Sequence, residues 1–385
     1  MSFLTPPLAP KTKLGRYRQL SPRAAIHVSP ISFGGMSVGD ATWNTLGAIN
    51  KEKSFELLDA YYDNGGNFID TANIYQNGSS EAYIGEWMEK RKIRDQMIIA
   101  TKYSNFTHNG DNNSIAQRIN YVGNNVKSMK LAVETSLQRL RTSYIDIFYV
   151  HWWDNHTSVE EMMDALHNLV VAGKVLYLGI SDTPAWFVVK ANAYAKSVGK
   201  TPFVLYQGEY SVLKRDMERE IIPMCAQEGL GLHVWGVLAG GKIRTNEEEK
   251  RRLESGEKGR TTPWDAEWLR KPDQVKVCDG LEAVAKEVGA KSIGAVAIAY
   301  VLHKTQYIFP MVGGRKVENL LSNIEALDIS LTDEQIKYLD GLKEFDLGWP
   351  YNLFGTAGTY PMLVTIHATV DPIPKPSPIQ PVKGQ

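Results

Sequence analysis

The sequence predicts a (β/α)8 barrel, the TIM-barrel architecture, with a hairpin ahead of it and a C-terminal extension behind. Three observations lead there. Eight short runs rich in β-branched and aromatic residues recur along the chain, helix-patterned stretches separate them, and the alternation covers about 300 residues, the span such a barrel needs with insertions. The runs are nearly continuous in apolar character, as strands covered on both faces must be. A doubly wound open sheet shares this alternation and is the competing architecture.

The segment "YRQLSPRAAIHVSP" reads as a hairpin that plugs the N-terminal end of the barrel. The eight strands follow as "ISFGGM" (31–36), "NFID" (67–70), "MIIATK" (97–102), "YIDIFYVH" (144–151), "VLYLGIS" (175–181), "FVLYQGEY" (203–210), "LHVWG" (232–236) and "YIFPMVG" (307–313). Between them, "KEKSFELLDAYYDNGG", "NVKSMKLAVETSLQRLR", "SVEEMMDALHNLVVAG", "REIIPMCAQEG" and "GLEAVAKEVGAKSIGAVAIAYVLH" repeat apolar residues every three or four positions, and several stop at glycine. Residues 240–275 form a charged insertion after the seventh strand. The division expected is 1–20 as an N-terminal extension, 21–345 as the barrel and 346–385 as the extension. Within that extension "PYNLFGTAGTYPMLV" is apolar enough to pack across a pocket, and the Pro-rich end from Asp371 is expected to be extended or disordered.

Composition narrows the partners. Forty-three basic residues balance 43 acidic ones, so no net basic field exists to attract nucleic acid or an anionic membrane. A small-molecule partner is expected. No apolar run reaches membrane-spanning length, and the first residues lack the apolar core of a signal peptide. The two cysteines, Cys225 and Cys278, stand in no metal or redox spacing and suit a reducing compartment, so the expected location is cytoplasmic. The sequence is silent on oligomeric state.

In a barrel of this kind chemistry gathers at the C-terminal ends of the strands. The second strand ends in Asp70 with Tyr75 just beyond it, the third in Lys102 and the fourth in His151. A phenol titrates near pH 10 and moves protons poorly at neutrality, but a neighbouring ammonium stabilises its phenolate, and a carboxylate behind the ammonium keeps that charge in place. A histidine beside the phenol can hold a substrate oxygen by a hydrogen bond. The four side chains together describe a tuned proton donor. Taken one at a time they admit plainer roles, Asp70 as a helix cap, Lys102 as a surface lysine and His151 as a core histidine.

A nucleotide site is also legible. No G-x-G-x-x-G follows an early strand, so a Rossmann site is unsupported. The segment from Gly236 through Leu238, Gly240 and Gly241 to Lys242 has P-loop spacing, but Ile243 replaces the hydroxyl that would hold magnesium. Such a turn still grips a pyrophosphate through backbone N–H groups and the lysine. "GGRKVENLLSN" sets Gly313 and Arg315 ahead of a helix, where amides and a guanidinium suit a phosphate monoester. Trp235 is placed to stack on a ring or to pack in the core.

These residues resemble the aldo-keto reductase superfamily from about Ile31 to Asp328. Asp70, Tyr75, Lys102 and His151 stand where that family has its tetrad, within "NFIDTANIY", "IIATK" and "IDIFYVH". "LGISD", "YQGEYS", "WGVLAGGK" and "VGGRKVENLLSN" are similar to its cofactor segments. The resemblance implies NADPH bound in extended form, with Ser181, Asp182 and Gln207 on the carboxamide and Trp235 against the nicotinamide. It further implies Lys242 and Arg260 on the pyrophosphate, and Arg315, Asn319 and Asn323 toward the 2′-phosphate. Asp182 departs from the Asn or Arg often found after that serine. "YVHWWD", "GISDTPAW" and "FDLGWPYNLFG" are most similar to fungal aryl-alcohol dehydrogenases and norsolorinic-acid-reductase-like members. Trp43, Tyr103, Trp152 and Trp153 lie in or beside mouth-facing loops and are expected to line an aromatic pocket suited to aryl aldehydes and ketones.

The implied activity is reversible, NADPH-dependent carbonyl reduction with no metal. The competing classes are a non-catalytic or regulatory NADPH-binding protein, as the potassium-channel beta subunits exemplify, and a metallohydrolase built on His151, Asp154 and His156.

Overall fold

The computed structural model describes residues 8–40, 47–106, 115–257, 259, 261, 267–355, 359–371 and 377–381. An antiparallel hairpin of β1 (Arg18–Ser21) and β2 (Ala24–Val28) comes first. Eight parallel strands then close on themselves: β3 (Ser32–Gly34), β4 (Phe68–Asp70), β5 (Ile98–Tyr103), β6 (Ile145–Val150), β7 (Val175–Ser181), β8 (Leu205–Glu209), β9 (Gly231–Trp235) and β10 (Ile308–Val312). They stand in chain order around the barrel, with β10 pairing back onto β3. Each of the eight runs read from the sequence coincides with one strand to within a residue or two, β5 and β9 each extending one residue beyond theirs, and closure excludes the open sheet.

Helices α1 (Lys51–Asp63), α2 (Ser79–Arg91), α3 (Val126–Arg139), α4 (Val159–Val171), α5 (Ala185–Ser197), α6 (Ile221–Glu228), α7 (Asn246–Ser255), α8 (Pro272–Val288), α9 (Ile293–Leu302), α10 (Val317–Ile324) and α11 (Asp333–Leu342) follow. Asn50, Asn125, Ser158 and Ser292 cap α1, α3, α4 and α9 with side-chain oxygens on backbone N–H groups. The long pattern 280–303 is two helices, because Gly289 takes a left-handed conformation (φ 71°) and Ser292 restarts the chain. The insertion after β9 carries α7 and is clasped by Glu249, which accepts from both Arg244 and Arg270. Two short helices, α12 (Tyr351–Phe354) and α13 (Met362–Thr365), lie beyond. Instead of crossing a pocket, Leu353, Met362, Leu363 and Ile366 are exposed. Residues 377–381 lie at the opposite end of the barrel, where Gln306 Nε2 donates to Ser377 O and Arg18 to Ile379 O. Among the described residues no helix is long and apolar enough to cross a membrane.

The barrel interior is layered by the period-two alternation of its strands. Phe68, Ile98, Ile147, Leu205 and Phe309 cluster with Leu20, Ala24 and Val28 of the hairpin, which closes the N-terminal end. Inward positions further up the strands carry Asp70, Lys102, Tyr149, Gln207 and His233, all buried. An apolar plug therefore supports a polar tier. Tyr149 fits this tier only because β7 offers Gly179 opposite it, where an added Cβ would run into the phenol ring. The Gly179→Ala variant should lose roughly 1–3 kcal/mol of stability in urea titration, the usual cost of overpacking a core. Wild-type stability would show that Tyr149 is free to move aside.

Candidate active site

The ends of β4, β5 and β6 and the loop after β4 deliver the four expected side chains. After β4 the chain turns sharply, with Gln76 and Asn77 both left-handed (φ 49° and 55°), and Tyr75 stands at the start of this turn. Arg139 of α3 fastens the turn by donating to Asn73 O (3.0 Å) and pairing with buried Glu81 (3.3 Å). Glu81 in turn accepts from Thr101 Oγ1 of β5 (2.6 Å). Strained backbone of this kind persists only where surrounding contacts over-determine it.

Lys102 and Asp70 are both fully buried, with Nζ 2.5 Å from Oδ1. Lys102 Nζ also donates to Thr71 O (2.8 Å) and lies 4.9 Å from the centre of the Tyr75 ring. Burial pushes the Asp70 carboxyl up and the Lys102 ammonium down, and in each the partner's charge opposes the shift. The His151 ring meets Tyr75 edge to face, centroids 6.0 Å apart. Burial and the Lys102 charge hold His151 well below the ordinary histidine value, so it is neutral near pH 7. The structure thus brings the four expected side chains to one mouth.

Beneath them lies a tier that sequence reasoning left without Tyr149 and His233 and without the bond from Gln207 to Asp70. Gln207 Nε2 donates to Asp70 Oδ2 (2.9 Å) and lies 3.0 Å from His233 Nδ1. His233 also meets Tyr149 Oη (3.0 Å) and Ser32 Oγ (2.6 Å), and its ring stacks on Phe68. Gln207, which the resemblance assigns to the carboxamide, therefore has its nitrogen committed to the floor of the site. The one sequence signal for His233 is its place two residues before Trp235 in "LHVW", on the same inward face.

The remaining expectations separate. Ser181 is buried at the end of β7, and Asp182 follows it with a left-handed backbone (φ 43°). Trp235 is half-buried at the end of β9. Beyond it Gly236, Ala239, Gly240 and Gly241 are all left-handed (φ 73°, 48°, 63° and 90°), curling the loop past Leu238 toward buried Lys242. Gly313 and Arg315 follow β10; Arg315 and Asn319 are exposed, and Asn323 is buried one turn further along α10. A left-handed Gly-rich turn with a lysine, and a guanidinium at the next strand end, form a donor set that fits a dinucleotide phosphate chain. Trp43 and Arg260 lie outside the described residues.

The expected aromatic pocket needs correction. Tyr103 is fully buried outside the barrel, stacked on Phe148 at 5.2 Å, because it follows inward-facing Lys102 and alternation turns it to the other face. Trp153 packs on Trp186 and Phe187 of α5. Trp152, 44% exposed and stacked on His151 at 4.7 Å, remains at the mouth. Asp154 accepts from the backbone N–H groups of Asn124, His156 and Thr157, so its carboxylate caps a turn rather than joining a metal set with the histidines.

The mouth of the barrel thus gathers a phenol, a buried ammonium–carboxylate pair and a neutral imidazole beside a left-handed, Gly-rich loop that carries a lysine. The sequence profile of the Aldo/keto reductase family matches residues 30–344, and the chain belongs to that family. It is 55% identical over 386 residues to an aryl-alcohol dehydrogenase [NADP(+)] of Phanerodontia chrysosporium, covering 100% of both chains. It is 45% identical over 388 residues to norsolorinic acid reductase A of Aspergillus parasiticus (97% and 96% covered), and 47% identical over 356 residues to an aldo-keto reductase of Aspergillus calidoustus (92% and 89% covered).

Burial pushes the Asp182 carboxyl up to about 7, with the Ser181 hydroxyl opposing, Glu209 adding, and Lys102 and the Trp235 indole opposing. A carboxyl raised on folding binds more protons folded than unfolded, so it costs stability as pH climbs from about 4 to about 7. In the cofactor-free protein, Asp182→Asn should match wild type at pH 4 and exceed it at pH 8 by up to about 4 kcal/mol in denaturant titration. A difference that does not change with pH would refute this account.

Proposed function

We propose that this protein is an NADPH-dependent oxidoreductase that reduces aryl and other apolar aldehydes and ketones to alcohols, reversibly. The observation that carries the reading is the Lys102 ammonium 4.9 Å from the Tyr75 ring centre, backed by Asp70 and flanked by His151. The relative named an aryl-alcohol dehydrogenase [NADP(+)] supports the cofactor and the substrate class.

The loops that follow β9 and β10 would hold NADPH, which when bound would supply the hydride for the carbonyl carbon. Tyr75 delivers the proton to the carbonyl oxygen, and its phenolate is stabilised by Lys102. Asp70 keeps Lys102 charged and fixes its position, and Gln207 holds the second oxygen of that carboxylate. His151, neutral at working pH, donates a hydrogen bond that orients the carbonyl and shares its developing charge. In this reading Ser181 and Asp182 would hold the carboxamide, Trp235 would pack on the nicotinamide, Lys242 would bind the pyrophosphate, and Arg315 and Asn323 would take the 2′-phosphate side. Trp152 lines the apolar approach for an aryl group.

Two experiments test the reading. Tyr75→Phe should lower turnover of aromatic aldehydes, followed by NADPH absorbance, by about 10²–10⁴-fold, while quenching of protein fluorescence by NADPH stays near wild type. Undiminished turnover would end the assignment of Tyr75, and a wild-type protein without turnover on any carbonyl would favour the non-catalytic class. Arg315→Leu should raise the KM for NADPH about tenfold or more and leave that for NADH unchanged, since only the former carries the 2′-phosphate. Equal effects on both cofactors would remove Arg315 from that contact.

A further inference from the structure

The carboxamide of Asn105, three residues beyond Lys102, lies between two aromatic side chains at the mouth. Its Oδ1 accepts from Trp152 Nε1 (3.1 Å), and its Nδ2 is 2.8 Å from His151 Nδ1. An amide's two ends are ordinarily interchangeable, but an indole N–H can only donate, so the oxygen must face Trp152 and the NH₂ must face His151. An NH₂ can only donate in turn. His151 Nδ1 must therefore be the unprotonated nitrogen of a neutral imidazole, and the single proton sits on Nε2.

The surroundings hold this arrangement from both sides. Asn73 Nδ2 donates to the Asn105 carbonyl (3.0 Å), tying the loop after β5 to the loop that carries Tyr75. The His151 backbone N–H donates to Ser104 Oγ (3.2 Å), and Asn124 Nδ2 donates to the Trp152 carbonyl (2.7 Å). The imidazole and indole stack within 9° of parallel, which keeps both rings in the plane the amide requires. Among the described residues, His151 Nε2 makes no hydrogen bond.

We propose that Asn105 is a positioning residue that, locked by the Trp152 indole, fixes His151 as the Nε2–H tautomer and so makes it a hydrogen-bond donor toward the substrate carbonyl. The opposite tautomer would present a lone pair to the carbonyl oxygen and repel it. The structural half stands on the three side chains alone; the catalytic half rests on the reading of His151 given above.

The test reads the tautomer directly. In the cofactor-free protein labelled with ¹⁵N-histidine, with His151 resonances identified by their loss in His151→Gln, the wild type should show an unprotonated Nδ1 and a protonated Nε2. Asn105→Asp, whose carboxylate can only accept, should move the proton to Nδ1. Asn105→Leu, which offers no partner, should give a mixture of tautomers and guards against misfolding of the charged variant. Carbonyl-reduction kcat/KM should fall about 10²-fold in Asn105→Asp, comparable to losing a donor to a developing oxyanion, and about tenfold in Asn105→Leu. An unchanged ¹⁵N pattern in both variants overturns the proposal with the role of His151 intact. A switched pattern with undiminished kcat/KM upholds the tautomer lock and instead overturns the role of His151 in the proposed reaction.

Discussion

An ammonium and a carboxylate held out of water must find a partner for every charge they carry, and Lys102 and Asp70 impose that requirement on the whole mouth of the barrel. Leaving either alone would cost on the order of 3–5 kcal/mol. The solution is local and complete: Asp70 Oδ1 takes Lys102, Oδ2 takes Gln207, and Lys102 spends a second proton on the Thr71 carbonyl. What remains of the ammonium's field is directed at the face of Tyr75. The same field, with burial, suppresses protonation of both His151 and His233.

The barrel beneath that pair is filled by apolar side chains. The hairpin seals one end with Leu20, Ala24 and Val28, and the first inward layer is apolar. Above it His233 translates an apolar floor into a polar one, presenting Phe68 with a ring face and Gln207 with a lone pair. Gly179 leaves the space that Tyr149 fills beside it. The loops at the mouth are fastened more loosely to one another, by single hydrogen bonds such as Asn73 to Asn105 and by the ion pair of Arg139 with Glu81. Rigid strands hold Asp70, Lys102 and Gln207, and His151 stands directly after β6. Loops hold Tyr75, Asn105 and the turn from Gly236 to Lys242.

The division of labour between β-strand and loop also explains which side chains were misplaced in advance. Tyr103 and Trp153 are aromatic residues adjacent in sequence to Lys102 and Trp152, and proximity along the chain suggests a shared pocket. In a strand, adjacent residues point to opposite faces, so Tyr103 joins the layer between barrel and helices while Lys102 enters the barrel. Trp153 is drawn to α5 by Trp186 and Phe187, a contact between segments more than thirty positions apart.

By itself the sequence determined the eight strands, the helices between most of them, and the strand ends at which Asp70, Lys102 and His151 fall. These depend on periodicity and on the rule that parallel barrels expose chemistry at one end, and both are local properties. Only the tertiary structure decided that the sheet closes, that Gln207 turns its nitrogen to Asp70, that His233 completes the floor, and that Asn105 lies between Trp152 and His151. Each of these joins residues from different strands or loops, and hydrogen-bond partners at that separation are set by barrel register and closure, which no single stretch of the chain encodes.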